Sequence, residues 1–449
     1  MNIHDRLSAL GAAVPEILLP RQGINLEKWA VIACDQFTQD RSYWKRAAEK
    51  AGEAPSTLNI IFPEVYLEDG DRRERIDAIH RNMGFYMEGF FAPPRRGCIY
   101  IERSCERFAR RRGLMMALDL EQYDWHSEAR PLIRATEGTV PERIIPRMEV
   151  RRGAPLECPH VLVLIDDDED FLLPGLAARA QRAAAAYHSS LMMDSGEVSG
   201  WFLDNENDWT FLTEGLEKLA AKARIRYSTD DPSPFLFAVG DGNHSLATAK
   251  AVWDEYKACH PEAAARRDHP NRWALVEIEN IYDPGIAFEP IHRVVFGAEP
   301  TEIIDLLREL PDFSCRPVGD AEELVRLTAE EGALKNRLSI VAGPELFLVE
   351  TSAPGLITDS LQPLLDRFTG QAAELSLDYL HGGDEVFRVA GGRVAAGAAV
   401  PAVGIILPPV KKSGLFQTVA RRGPLPRKSF SMGEAWEKRF YLECRRLVW

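Results

Sequence analysis

The chain has 449 residues, 45% of them hydrophobic and 27% charged, with a formal net charge of −14 at pH 7. This length and composition are typical of an ordinary globular protein with two or three domains, each with its own core. The negative charge argues against a nucleic-acid-binding protein that neutralises phosphates over a large surface.

Two polar residues follow the first predicted strand, Trp29–Cys34. Asp35 and Gln36 come directly after it, and the carboxyl end of a strand is a common place for ligand-binding residues in sheets flanked by helices. Capping of the next helix explains the same residues equally well. We therefore keep both interpretations, substrate binding and helix capping.

A helix is predicted over residues 71–91, and strands over residues 98–102 and 114–118. The two strands form either an antiparallel pair or a strand–helix–strand unit. The region around them is rich in arginine, and we interpret this basic cluster as a solvated face. The cluster consists of Arg95, Arg96, Arg103, Arg107 and Arg110–Arg112.

Residues 133–152 are polar for their length, and a glycine and a proline prevent one continuous helix. Glu137 lies in a turn between cations, an arrangement that keeps a catalytic carboxylate ionised. Arg134 and Arg147 are candidates for neutralising a bound phosphate. The alternative is a solvated helix with alternating charges.

A buried-type strand at residues 161–165 precedes the acidic run 166–170. Such a run can bind magnesium, but it lacks the spacing of a ligand set, so a solvated loop is the better interpretation. Further along we predict helices over residues 175–187 and 211–224, with a loop and short hairpin at 188–209 between them.

The stretch 235–250 predicts a strand, a glycine turn and a helix. Phe235–Val239 is apolar and rich in strand formers, Gly240–Gly242 breaks the pattern, and helical spacing begins near Asn243. Unpaired backbone N–H groups and the positive end of the dipole favour an anion at such a helix start. The sequence therefore predicts a phosphate site at the turn.

Four consecutive residues would form this phosphate site. Gly242 has no side chain and lets a phosphate approach the main chain, while the polar side chains supply donors. A helix cap at Asp241 or Asn243 and a hydrogen-bonded turn histidine are the alternatives. The four residues are Gly242, Asn243, His244 and Ser245.

Strands are predicted over residues 273–278 and 291–295, and the texture of the sequence changes near residue 297. We place a domain boundary there, which gives domains 1–296 and 297–449. Candidate site residues on the later part of the chain are His292, Arg293, His381 and Lys428.

The block DGNHSLATAK (241–250) resembles the D-G-H-H-R type signature of the ParB/sulfiredoxin-like superfamily, within the family known as domain of unknown function 1015. Further blocks match this family in its order and span nearly the whole chain. They are WAVIACDQFTQDRSYW (29–44), IRATEGTVPERIIPR (133–147), FEPIHRVV (288–295), YLHG (379–382) and LPRKSFSMGEAW (425–436).

This resemblance implies an α+β fold with a mixed-sheet ParB/sulfiredoxin-like core that binds a nucleotide, and a smaller C-terminal α/β domain that contributes to the site. Sulfiredoxins carry a catalytic cysteine at the position of Asn243, which excludes their chemistry here. ParB proteins bind CTP and act as clamps on DNA, and the net negative charge of this chain does not support that role. Free-serine kinases carry His and Arg where this chain has Asn243 and Ser245, so a cation must come from elsewhere.

Together these features predict a nucleotide-dependent phosphotransferase acting on a small hydroxyl metabolite such as free L-serine, a kinase of serine metabolism. Phosphoryl transfer needs positioning, charge neutralisation and a base near the hydroxyl. ATP, ADP or another nucleotide and Mg²⁺ are the expected cofactors. Catalytic roles fall to Glu137, Asp241 and His244, with Glu137 as base; Asp241 and Glu137 are also the candidate magnesium ligands.

The remaining candidates have supporting roles. Arg134, Arg147, Arg293 and Lys428 would neutralise phosphate, and Asp35, Gln36, His292 and His381 would bind substrate. Two alternatives remain for the function: a nucleotide-binding regulator without turnover, and a magnesium-dependent phosphatase or hydrolase such as a phosphoserine phosphatase.

The seven cysteines are scattered and include no Cys-x-x-Cys pair, so neither a disulfide framework nor a cysteine zinc site is indicated. A signal peptide and an apolar stretch long enough to cross a bilayer are not recognised in the sequence. We expect a cytoplasmic protein whose partners are a nucleotide and a small molecule, not a membrane or nucleic acid. The oligomeric state, including a homodimer, is left open.

Overall fold

A computed structural model describes residues 2–126, 128–227, 231, 233–330, 336–391 and 401–449 of the chain. The α-helices are α1 Ile3–Ala9, α2 Leu26–Trp29, α3 Arg41–Ala51, α4 Arg72–Met87, α5 Pro141–Arg151, α6 Leu172–Ala180, α7 Glu206–Arg226, α8 Asn243–Cys259, α9 Pro261–Ala264, α10 Pro300–Leu307, α11 Ala321–Ala329, α12 Ile357–Thr369, α13 Gly383–Ala390 and α14 Lys412–Arg422.

The first strands, with which the helices alternate, are β1 Ala12–Ala13, β2 Glu16–Ile17, β3 Val31–Ile32, β4 Arg95–Arg96, β5 Cys98–Cys105, β6 Phe108–Asp119, β7 Tyr123–Asp124, β8 Ile133–Ala135, β9 Leu156–Glu157, β10 Leu162–Ile165, β11 Tyr187–Ser190 and β12 Glu197–Leu203. The later strands are β13 Phe237–Asp241, β14 Trp273–Asn280, β15 Phe288–Phe296, β16 Ser314–Pro317, β17 Asn336–Ala342, β18 Glu345–Thr351, β19 Ser376–His381, β20 Ala402–Ile406, β21 Phe430–Met432, β22 Phe440–Tyr441 and β23 Arg445–Arg446.

The chain divides into two compact units that are interleaved in sequence. Unit 1 comprises Met1–Ala287, Leu415–Pro424 and Gly433–Trp449, and unit 2 comprises Phe288–Gly414 and Leu425–Met432. The first crossing lies at the start of β15, earlier than the boundary expected near residue 297. The reason is that β15 is one continuous strand, so the change in sequence texture marks its end and not its beginning.

Unit 1 is built on a mixed sheet with the strand order β11-β12-β5-β6-β14-β10-β13-β8-β7, with β1 paired to β6. Strand β13 lies in its interior, parallel to β8 and antiparallel to β10. The apolar residues of neighbouring strands alternate between the two faces, as the pleat requires. One face holds Leu114, Met116 and Val276, and the other holds Met115 and Leu275.

The segment Gly433–Trp449 returns to unit 1 after the chain has passed through unit 2. Within it, β22 pairs with β3 and β23 pairs with β9, both antiparallel. Phe440, Tyr441 and Leu442 are buried in the same apolar cluster as Trp29. This late segment therefore completes the core of unit 1.

Part of the basic cluster is buried, and the prediction of a solvated face is wrong for Arg103, Arg111 and Arg112, which are at most 8% exposed. Arg103 donates to main-chain carbonyl oxygens of residues 436–438, and Arg112 Nε lies 3.1 Å from Asp283 Oδ2. The sequence pattern indicated a solvated face because the groups that accept hydrogen bonds from these arginines lie far away in the sequence.

Unit 2 is an antiparallel sheet with the order β16-β18-β17-β20-β15-β19, with β21 paired to β15. Helices α10 and α12 supply Ile303, Leu307, Leu361 and Leu365 to one apolar cluster of this unit. The α+β fold class is thus confirmed, with a mixed sheet in unit 1 and a smaller unit of helices and antiparallel strands.

Several local predictions are confirmed. The strand, glycine turn and helix at 235–250 are present as β13 and α8, and α8 begins at Asn243. The arginine-rich strands β5 and β6 form an antiparallel pair, and β11 with β12 forms the hairpin within 188–209. The alanine-rich helix ends earlier than expected, at Ala180. Among the described residues, no helix combines the length and apolar character needed to cross a membrane.

Candidate functional site

The glycine turn between β13 and α8 has the backbone that the phosphate prediction needs. Gly242 has φ +77° and ψ 27°, in the left-handed region that glycine adopts without strain. A Cβ on this residue would lie 3.1 Å from Val161 Cα, so the turn packs closely against the start of β10. The N-cap of α8 is Gly242, which has no side chain that could accept from the N–H groups of the first turn.

His244 joins this turn to the loop that carries Glu137. Its Nε2 accepts a hydrogen bond from the backbone N–H of Val140 at 3.2 Å, and Val140 is the N-cap of α5. In a neutral imidazole with an accepting Nε2, the proton resides on Nδ1. The neighbouring Thr136 Oγ1 donates to Val239 O at 2.6 Å, which ties the same loop to β13.

Three buried side-chain oxygens around the turn have no hydrogen-bond partner within the described residues: Asp241 Oδ2, Asn243 Oδ1 and Thr139 Oγ1. Two of them belong to the turn, and the third lies next to Val140 in the loop that His244 holds. Buried polar atoms are nearly always hydrogen-bonded in native proteins. Their concentration here is typical of a site that receives a polar ligand.

Asp35 and a histidine that sequence reasoning missed form an ion pair in unit 1. His160 Nε2 lies 3.6 Å from Asp35 Oδ2, and His160 Nδ1 lies 2.7 Å from the hydroxyl of Tyr441. His160 Cδ2 is also 3.5 Å from the position of a Cβ on Gly242, so the pair lies beside the glycine turn. No motif surrounds His160, so its role could be recognised only from its partners.

The surrounding charges lower the pKa of Asp35 and raise that of His160, which favours the charged form of each residue. Burial alone would raise the pKa of Asp35, but the charge of His160, a hydrogen bond with it, the Gln36 amide and Lys438 together hold it below the usual range. Burial lowers the pKa of His160, but Asp35 outweighs this and, with Asp241 and Glu64, leaves it above the usual value. The Asp35 carboxyl is therefore ionised at neutral pH.

Lys438 is a buried cation at the turn that the sequence prediction did not include. It is 4% exposed, and its Nζ lies 3.5 Å from Asp241 Oδ2. It also lowers the pKa of Asp35, which places its charge near both carboxylates. The sequence prediction proposed Lys428, which lies ten positions earlier in LPRKSFSMGEAW and belongs to unit 2.

The arginines predicted to neutralise phosphate in unit 1 already have acidic partners. Arg147 forms an ion pair with Glu64, and burial raises the pKa of that carboxyl despite the neighbouring guanidinium. Arg134 Nη2 donates to Asp231 Oδ2 at 2.7 Å, and its guanidinium lies 4.7 Å from the centre of the Phe235 ring. Both partners of Arg134 precede β13, whereas the glycine turn follows it.

The other predicted site residues belong to unit 2. Arg293 is 0% exposed; its Nε donates to Gln362 at 2.9 Å and its guanidinium lies over the Tyr379 ring. His292 is buried beside it and accepts from the backbone N–H of Leu407 at 3.1 Å. His381 is exposed at the end of β19, and Lys428 is exposed with φ 59°.

Magnesium was predicted at Asp241 and Glu137. Within the described ranges, no group of three or more His, Cys, Asp or Glu side chains is arranged to hold a metal ion. Magnesium at phosphate sites is usually bound through one or two carboxylates and the phosphates themselves. In the acidic run 166–170, Asp166, Asp168 and Glu169 instead pair with cations of α7.

Comparison with known proteins gives one family and several distant structures. The profile of the family described as "Protein of unknown function (DUF1015)" matches residues 18–362. A search of curated proteins gives no significant match.

Solved structures that resemble the chain do so weakly. A free serine kinase in complex with AMP has a TM-score of 0.38 and 11% identity, over 73% of this chain and 90% of that one. A conserved hypothetical protein from Pyrococcus furiosus has a TM-score of 0.35 and 12% identity, over 74% and 94% of the two chains. SbnI from Staphylococcus aureus, truncated at its C terminus, has a TM-score of 0.36 and 9% identity, over 71% and 82%. Likenesses of this degree carry no argument about function.

Proposed function

This chain belongs to the DUF1015 family of proteins of unknown function, and from its own site we propose that it is a nucleotide-dependent phosphotransferase acting on the hydroxyl of a small metabolite such as L-serine. The observation that carries the proposal is the left-handed glycine turn at the start of α8. Three buried oxygens that lack a hydrogen-bond partner among the described residues, Asp241 Oδ2, Asn243 Oδ1 and Thr139 Oγ1, belong to the turn and to the loop joined to it.

The phosphates would lie against the first turn of α8. Gly242 admits them to the main chain, and Asn243, His244 and Ser245 supply polar side chains there. Lys438 is the best-supported source of positive charge, because its own acidic partner, Asp241, belongs to the glycine turn, whereas Arg134 and Arg147 pair with Asp231 and Glu64. Lys428 and Arg293 of unit 2 remain sequence-based candidates.

Glu137 is the base that the sequence predicts. Its loop is joined to the turn through Val140 and His244, which supports a position near the phosphates. An ATP- or ADP-bound magnesium ion would supply charge neutralisation at the transferring phosphoryl group. Asp241 and Glu137 would hold it, and no step of the proposal depends on it.

Substitution of Asn243 tests the phosphate site. In Asn243→Asp a carboxylate of nearly the same shape replaces the amide, so we expect repulsion from phosphate and a loss of affinity of roughly 10- to 100-fold, equivalent to roughly 1–3 kcal/mol. Calorimetric titration with ATP, ADP, CTP and GTP plus magnesium measures it. The matched control is Asn82→Asp, since Asn82 donates only to a main-chain carbonyl outside the site.

Turnover is measured by phosphorus NMR after incubation with a nucleotide, magnesium and L-serine. Absence of nucleotide binding by the unmutated protein would contradict the proposal. Binding without phosphate transfer to any hydroxyl acceptor would identify a nucleotide-binding regulator. Release of phosphate from phosphoserine without a nucleotide would identify a phosphatase.

A further inference from the structure

Tyr441 shares a hydrogen bond with His160, and His160 forms an ion pair with Asp35. The Tyr441 hydroxyl oxygen accepts from the Cys34 N–H at 3.1 Å and lies 2.7 Å from His160 Nδ1. His160 Nε2 carries a proton in the imidazolium, which Asp35 favours, and also in a neutral imidazole whose Nδ1 accepts from the hydroxyl. That N–H faces Asp35 Oδ2 at 3.6 Å.

Asp35 is the residue of these three that a substrate can reach. Its side chain is 25% exposed, against 7% for His160. Gln36 Nε2 donates to Asp35 Oδ1 at 3.0 Å, which fixes the plane of the carboxylate. Lys438 lies near both Asp35 and Asp241, so its charge links the carboxylate to the glycine turn.

We propose that Asp35, not Glu137, takes the proton from the acceptor hydroxyl, an inference that rests on the proposed function. The hydroxyl O–H bond breaks and its proton goes to the Asp35 carboxylate. The oxygen forms a bond to the terminal phosphorus of the nucleotide, and the P–O bond to the nucleotide leaving group breaks. His160 and Tyr441 act as positioning residues that hold the carboxylate through the Nε2–H group of His160.

Two carboxylate variants separate the candidates. Asp35→Asn is expected to lower kcat by roughly 10²- to 10⁴-fold, the usual contribution of a general base, and to change the Kd for nucleotide by less than about threefold. Because Glu137 is also a candidate magnesium ligand, Glu137→Gln is expected to weaken binding of the magnesium–nucleotide complex, with a loss of kcat at least tenfold smaller than that in Asp35→Asn. Asp77→Asn, an exposed carboxylate on α4, is the matched control. Normal kcat in Asp35→Asn together with a large loss in Glu137→Gln would overturn the inference.

A spectroscopic measurement tests the positioning residues without turnover. In protein labelled with ¹⁵N-histidine, the His160 signals, assigned by their absence in His160→Gln, should show a protonated Nε2, in the imidazolium at lower pH and as the Nε2–H tautomer once the imidazole is deprotonated. Tyr441→Phe should shift the tautomer equilibrium towards Nδ1–H and lower kcat by roughly tenfold. An Nδ1–H tautomer in the unmutated protein would overturn the positioning role. If the unmutated protein shows no turnover at all, that result would instead contradict the proposed function.

A second observation concerns two cysteines of unit 1, each of which lies next to one of the paired strands β9 and β23. The sulfurs of Cys158 and Cys444 lie 3.2 Å apart. The pairing of Arg445 with Glu157 places Cys444 and Cys158 opposite each other at the next position. The main-chain N–H and C=O of Cys444 bond to Leu18 on its other side. Such non-hydrogen-bonded pairs have Cα atoms about 4.5 Å apart, within the range of disulfides.

We infer that Cys158 and Cys444 form a disulfide when the protein meets a peroxide. Half-buried Cys158 attacks the peroxide oxygen and becomes a sulfenic acid, with release of one water. Buried Cys444 then attacks that sulfur, and a second water leaves. Two thiols and one hydrogen peroxide thus give one disulfide and two waters. The bond would join the segments that carry His160 and Tyr441.

Peptide mapping after peroxide treatment, with free thiols alkylated, tests this inference. We expect a peptide pair linked through Cys158 and Cys444, reversed by dithiothreitol and lost in Cys158→Ser and in Cys444→Ser. Cys259→Ser, which removes an exposed cysteine, should leave the link unchanged. Linkage to other cysteines, or irreversible oxidation of Cys158 without a link, would overturn the inference.

Discussion

His292 illustrates how burial decides the behaviour of a single residue. Burial lowers its pKa to about 4, and the neighbouring Arg293 and His381 contribute to this shift. The unfolded chain takes up a proton below about pH 6.5, whereas the folded imidazole stays neutral until about pH 4. Its contribution to stability is therefore complete above pH 6.5 and is lost as the pH falls towards 4.

We predict that His292→Gln removes this acid sensitivity from unit 2. Between pH 7 and 4.5 the unmutated protein should lose roughly 2 kcal/mol more free energy of unfolding than the variant, since each pH unit contributes about 1.4 kcal/mol. Hydrogen exchange of β15 and β20 peptides, corrected for intrinsic rates, measures the difference. An equal loss in both proteins would contradict the assignment of His292 as a neutral buried imidazole.

At the scale of secondary structure, the turn between β13 and α8 depends on one glycine. Gly242→Ala should lower the free energy of unfolding by roughly 1–2 kcal/mol through left-handed strain, and further because the new Cβ lies 3.1 Å from Val161. Gly153→Ala is the matched control, since Gly153 has φ +70° and nothing within 4 Å of its Cβ position. Urea unfolding compares them, and equal losses would mean that the contact with Val161 is unimportant.

This strand–turn–helix unit could be predicted from the sequence because its signals are local. Apolar strand formers, glycines and helical spacing follow one another within sixteen residues, and the backbone obeys them. The partners of Asp35 could not be predicted in this way. His160 and Tyr441 lie in unremarkable sequence, and only the pairing of distant strands brings them together. The burial of the arginines on β5 and β6 could not be predicted for the same reason.

At the scale of the whole molecule, a buried ion network joins Gly433–Trp449 to the large sheet. Arg439 pairs with both Glu277 and Glu443, and all three are at most 5% exposed. Arg439→Met should lower the free energy of unfolding of unit 1 by roughly 3–5 kcal/mol, because two buried carboxylates lose their partner. Urea unfolding measures this, with Arg41→Met, which breaks an exposed pair, as control. A loss below about 1 kcal/mol would contradict the prediction.

The interleaved order of the two units has a consequence for synthesis on the ribosome. When residues 1–287 have emerged, β3 and β9 lack their partners β22 and β23, and Tyr441 and Lys438 do not yet exist. Most of unit 2 is translated next and can fold before unit 1 is complete. Tyr441, which contacts His160 of the Asp35–His160 pair, is synthesised only near the end of translation. We therefore expect nascent chains stopped after unit 2 to be protease-sensitive in unit 1 and inactive, although they already contain the whole glycine turn.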